Sequence, residues 1–199
     1  MTALKKQRVV TVIKYTWPLY IISVLLIIIL MNFLFGVIHR TPDYKTLTLF
    51  ISGEVTNDKK LKDDLLTKFQ DQELKSVSTI SAKVSDGNYS QKLTVTGYNG
   101  ADILIIPTSK LDKLDVASFG LELSNEVIAS FYQDNTFYKK DDVNYGIKLD
   151  KEKVKDYMSL PEEDCYMILN GKSENIGEYG PNQIKEHSNA LILAKDWGM

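Results

Sequence analysis

The stretch ADILII, residues 101–106, decides how the rest of the chain is read. Four consecutive apolar residues, Ile103 to Ile106, imply a central strand buried on both faces. Pro107 ends it, and Thr108 or Ser109 can cap a short helix over 110–114. Working upstream, TLTLFISG (46–53) is another strand of the covered kind. In it Leu47, Leu49 and Ile51 alternate with Thr48 and Phe50, and Ser52, Gly53 and Glu54 end it. Asn57 or Asp58 can cap the helix that follows, where Leu61, Leu65, Leu66 and Phe69 recur at helical spacing. VSTISAKV (77–84) is a further strand, and Asp86, Gly87 and Asn88 form a turn. QKLTVT (91–96) alternates like a strand, yet its place before a compact strand equally suits a short helix. Strand, helix, strand, helix, strand predicts an α/β fold: a mostly parallel sheet between two helical layers.

Downstream the pattern is looser. Ser124 can cap a helix over 126–131, and residues 132–144 are polar and turn-rich. YGIKL (145–149) is a short strand, and Val154, Tyr157 and Met158 suit a brief helix ended by Pro161. CYMILN (165–170) is another buried strand, and 171–181 is loop. Leu191, Ile192 and Leu193 in ALILAKDW suit packing on the sheet.

Ahead of all this lie 24 consecutive uncharged residues, 15–38, bounded by Lys14 and by His39 and Arg40. A bilayer core needs roughly 20 such residues as a helix. Lys5, Lys6, Arg8 and Lys14 precede the run and no acid does, which predicts a cytoplasmic N-terminus. Pro18 is expected in the first turns, where a missing donor costs little. Trp17, Tyr15 and Tyr20 suit the cytoplasmic interface. A cleaved signal peptide would have a shorter apolar core followed by small residues, whereas this run ends in Phe33, Leu34, Phe35, Gly36 and Val37. The expected organisation is a cytoplasmic tail (1–14), one transmembrane helix (15–38), a connector (39–45) and an extracytoplasmic domain (46–199). The expected location is the cell membrane, single-pass.

Four of the 24 basic residues precede the apolar run; the other 20 follow it, against all 26 acids, so the remainder carries −6. That balance argues against nucleic acid as a partner. One cysteine, Cys165, excludes an internal disulfide, a usage that suits a bacterial cell-surface protein. No HExxH, CxxC, GxSxG or phosphate loop occurs, and no cofactor is implied. Nearby acids and burial would raise the Cys165 thiol pKa and oppose nucleophilic use. The histidines are His39 and His187. Eleven tyrosines, among them Tyr132, Tyr138, Tyr145, Tyr157, Tyr166 and Tyr179, suit contact surfaces as well as cores.

From Thr46 on, TLTLFISG, VSTISAKV, YSQKLTVTGYNGADILIIP, YGIKL and CYMILN…IGEYG…ALILAKDW together resemble one lobe of a bacterial extracellular solute-binding protein of the periplasmic-binding-protein type II class. The resemblance implies a helix over QKLTVT. It also implies a ligand edge at the C-terminal ends of the strands, where open α/β sheets bind in any case. That nominates Ser52, Gly53 and Glu54, then Ser85 and Asp86, then Pro107, Thr108 and Ser109, as holders of a polar ligand; ordinary caps and loops are the plainer reading of the same residues. A complete member of the class closes two lobes on its solute, and residues 127–156 are too few to build the second. The expectation is therefore a non-enzymatic, membrane-anchored extracellular module. It would hold a membrane or surface protein, with an accessory to a transporter as one such role. The alternative is a small solute or peptide at the strand ends, with the second lobe supplied by a partner or a dimer.

Overall fold

The structure is a computed structural model that describes residues 3–38, 41–132 and 135–199, with side chains of the first helix over 14–35. His39 and Arg40 lie outside the described residues. Residues Met1–Thr41 and Pro42–Met199 form separate compact units.

The first unit is one helix, α1 (Ala3–Ile38), whose apolar span runs Lys14–Phe35. Those 22 residues reach about 33 Å at the usual helical rise, long enough to cross a bilayer core. Pro18 is not in a first turn, as the sequence suggested, but inside the helix. The residues ahead of it continue the helix, so its ring withholds an interior hydrogen bond.

The second unit is α/β. Its strands are β1 (Thr46–Ile51), β2 (Glu54–Val55), β3 (Ser76–Ser81), β4 (Ile103–Pro107), β5 (Phe137–Lys140), β6 (Val143–Lys148), β7 (Met158–Ser159) and β8 (Cys165–Leu169). Its helices are α2 (Asp58–Lys68), α3 (Tyr89–Lys92), α4 (Tyr98–Gly100), α5 (Thr108–Leu111), α6 (Asn125–Phe131), α7 (Lys151–Val154) and α8 (Asn189–Trp197). Six strands make one sheet in the order β3-β1-β4-β8-β6-β5, while β2 and β7 pair as a small ribbon. β1 runs parallel to both β3 and β4, and the remaining pairings are antiparallel. The sheet is thus mixed, not mostly parallel. Residues 46–107 need helical crossovers, which make parallel neighbours, whereas β5 and β6 are joined by a tight hairpin.

Strand alternation sorts the core into two layers. Leu47, Leu49, Ile51, Ile103, Ile105, Met167 and Leu169 face one side, under Leu61, Leu65 and Phe69 of the α2 segment and Leu191, Leu193 and Trp197 of α8. Phe50, Leu104, Ile106 and Ile168 face the other, under Tyr89, Leu93 and Leu111. Each strand position of β4 is fully buried, as ADILII required. Two caps read from the sequence form: the Asn57 side chain accepts from the Lys60 N–H at 3.1 Å, and that of Ser124 accepts from the Val127 N–H. Residues 89–100 are helical, with a π turn at Leu93–Gly97 between α3 and α4. QKLTVT is therefore helix, because Leu93 and Gly97 pack inward on β1 and β4.

Two downstream readings change. Met158 belongs to the β2–β7 ribbon, opposite Val55, and α7 is only Lys151–Val154. The stretch 132–144 is not merely loop. It supplies β5 and a two-residue hairpin turn at Asp141 and Asp142, both at positive φ (51° and 63°). Left-handed backbone at both turn positions favours Asn-Gly, because its twist matches the strands. Replacing Asp141-Asp142 by Asn-Gly should raise the stability of fragment 42–199 by about 1 kcal/mol, read as a higher urea midpoint at unchanged slope.

Candidate functional site

The C-terminal ends of β1 and β3 open onto a cleft of about 510 Å³. Ser52, Gly53 and Glu54 form one wall, Lys83, Val84 and Ser85 another, and Ser159, Leu160 and Pro161 the third. Four of the sequence-nominated residues, Ser52, Gly53, Glu54 and Ser85, are therefore brought together. Asp86, Thr108 and Ser109 do not line it.

Most of the polar groups are engaged locally. β1 ends with the Ser52 N–H donating to the Ile105 carbonyl and the Ile51 carbonyl accepting from the Ala82 N–H. The Ser52 side chain is fully buried, its hydroxyl 2.7 Å from the Tyr89 hydroxyl. Burial pushes the Tyr89 phenol up to about 12, and the Lys110 ammonium lies 5.3 Å from its ring centroid. A Cβ on Gly53 would approach the Ser159 carbonyl closer than 3.0 Å, so only glycine lets the β2–β7 ribbon close against the strand end. Glu54 and Lys83 form an exposed ion pair at 2.7 Å, and the hydrogen bond that the Lys83 ammonium donates to the Glu54 carboxylate holds it above its ordinary pKa.

Elsewhere on this edge, Thr108 donates through its hydroxyl to the Asp164 carbonyl at 3.0 Å. Ser109 gives both its N–H and its hydroxyl to the Glu163 carboxylate, at 2.8 and 2.7 Å, which holds that carboxyl below the usual range. Lys151 binds the carbonyls of Pro161, Glu162 and Glu163 and so fixes the segment leading into β8. Asp86 is exposed, and its backbone shapes the turn into α3. Cys165 is buried at the start of β8, and burial pushes its thiol up to about 11. Among the described residues no group of three or more metal-ligating side chains assembles.

The opposite edge of the sheet carries a feature that sequence reasoning missed. Asp102, directly before β4, is nine-tenths buried. Its carboxylate accepts from the Thr48 N–H at 2.6 Å, from the Ser173 hydroxyl, and from the Asn175 amide at 3.2 Å. Asn175 also donates to the Thr46 carbonyl at 2.9 Å, and Asn189 donates to the Asn175 side-chain oxygen at 3.1 Å. Asn170 donates to the carbonyls of Tyr98 and Ala101. Ser173 and Asn175 of the apparent loop 171–181 are thus internal partners of the strand starts. The one available signal was an aspartate fused to an apolar strand, which must find donors when buried. Beside this network a second cleft, of about 560 Å³, is lined by Tyr44, Gln72, Glu73 and His187, and the Tyr44 and His187 rings stack at 3.7 Å.

No protein-family model matches this chain, and neither a curated protein nor a solved structure matches it.

Proposed function

We propose that this chain is a non-enzymatic, membrane-anchored module: α1 crosses the membrane with its N-terminus in the cytoplasm, and the α/β domain holds a protein partner outside. A transporter or another surface protein fits that role. The carrying observation is the state of the C-terminal strand edge. Ser52 is spent on Tyr89, Ser109 on Glu163, Thr108 on Asp164, and Glu54 on Lys83. A small-solute site needs a few convergent polar groups left for the ligand, and these are satisfied by their neighbours. The apolar span of α1 supplies the anchor. The likeness to one solute-binding lobe is supported by the strand and helix order of residues 46–107. Residues 127–156 go into α6, the β5–β6 hairpin and α7, which is what a one-lobe derivative would do with them.

Cross-linking on intact cells tests the reading. One specific membrane or surface protein should be recovered with the chain, and protease added outside should digest residues 46–199. Digestion only after permeabilisation would sink the topology. Failure to recover any one protein above background would sink the partner role.

The second reading places a polar solute or peptide in the Gly53 cleft, whose volume lies within the roughly 300–1,000 Å³ of ligand sites. A partner or a second copy would close it. On that reading amino acids, sugars or short peptides raise the melting temperature of fragment 42–199, and Lys83→Met abolishes the rise. No shift with any of them rejects it.

A further inference from the structure

We infer that α1 pairs in the membrane with a second copy of this chain, through the side-chain amide of Asn32. The inference goes beyond the proposed function and rests on its reading of α1 as a membrane span. The apolar span Lys14–Phe35 includes Ser23 and Asn32, and the structure treats them differently. The Ser23 hydroxyl donates to the Leu19 carbonyl at 2.8 Å, one turn back, so it asks nothing of the surroundings. The Asn32 side chain is exposed and has no hydrogen-bond partner among the described residues.

Depth makes that consequential. Asn32 precedes the last apolar residue, Ile38, by six positions, about 9 Å along the axis. A lysine can extend a long stem to the interface over such a distance, but the short asparagine side chain cannot. An amide left unpaired in hydrocarbon costs several kcal/mol, and lateral association of helices is the available remedy.

The chemistry selects the occupant. A carboxamide carries both donor and acceptor. Two copies anchored with the same orientation place Asn32 at one depth, and each N–H can meet the other copy's carbonyl. No complementary partner is required. The spacing around it suits a parallel crossing: Leu25 lies one heptad before, Ile28 and Ile29 one turn before, and Gly36 one turn after. Glycine at that last position lets two backbones approach closely.

The test uses the full chain in phosphatidylcholine vesicles, with donor-labelled and acceptor-labelled populations mixed. Energy transfer should exceed that of random proximity. Asn32→Leu, which makes the helix more apolar, should weaken association about fivefold to tenfold. Asn32→Gln should keep it. Unchanged transfer in Asn32→Leu, or none above random in the unsubstituted chain, overturns the pairing while α1 stays in the membrane. Release of the unsubstituted chain from vesicles at alkaline pH overturns the membrane reading and the pairing with it, so the two failures are told apart.

Discussion

Asp102→Ala should lower the stability of fragment 42–199 by about 3 kcal/mol near pH 5, the largest loss expected of any single polar side chain in the domain. The substitution leaves the Thr48 N–H, the Ser173 hydroxyl and part of the Asn175 amide facing a void in a buried site. Domains of this size have roughly 5–15 kcal/mol in hand, so the change should be plain in urea unfolding followed by circular dichroism. Its pH dependence has a definite sign. Burial, against the hydrogen bonds it accepts and with the nearby Asp43 charge adding to it, moves the Asp102 carboxyl from 3.8 up to about 6. Between those values the folded chain holds a proton that the unfolded chain has lost. This group therefore makes the fold most stable below about pH 4, and its contribution declines as pH rises to about 6. Asp102→Asn should flatten that slope, and the cost of Asp102→Ala should be smaller at pH 7 than at pH 5. An unchanged slope in Asp102→Asn would show that the carboxyl does not titrate there.

The second large effect is expected at the cleft. Gly53→Val should cost about 2–3 kcal/mol, the usual range for forcing atoms into packed space. The atom met is the Ser159 carbonyl, which is backbone and cannot swing aside as a side chain would. Relief requires β7 to move away from β2, so amide exchange at Val55, Met158 and Ser159 should quicken selectively. Gly87→Ala is the matched control: nothing lies within 4 Å of its added carbon, and its stability should stay within about 0.5 kcal/mol. Equal losses at both positions would reject the close-approach account of Gly53.

How much was legible follows from where the side chains point. ADILII gave β4 because a strand buried on both faces has no polar position to conceal it. The helices with clean apolar spacing, such as α2, were readable with their caps. β5 was not: FYKK carries two lysines on an outer strand, the usual guard against edge pairing, and therefore looks like loop. The Asp141-Asp142 turn hid for a related reason, since neither residue is the glycine that announces left-handed backbone. At the candidate site, sequence placed Ser52, Gly53, Glu54 and Ser85 together because strand ends in such sheets converge. It could not see that Thr108 and Ser109 turn to Asp164 and Glu163, because the partners lie more than fifty positions away. The Asp102 network was unreadable for the same reason: its members sit on four distant segments, and each alone is an ordinary polar residue.

The order of strands also fixes how the domain meets mechanical load. The first strand of the second unit is β1, an interior strand laddered to β3 on one side and β4 on the other. Its two ladders run side by side along the strand axis. A pull along that axis shears both rows of hydrogen bonds at once, whereas an edge strand would oppose it with one row. Asn175 adds a clamp at the point of entry, through the Thr46 carbonyl. A domain entered through such a strand resists tension at its N-terminal end by shear across two ladders instead of peeling from that end.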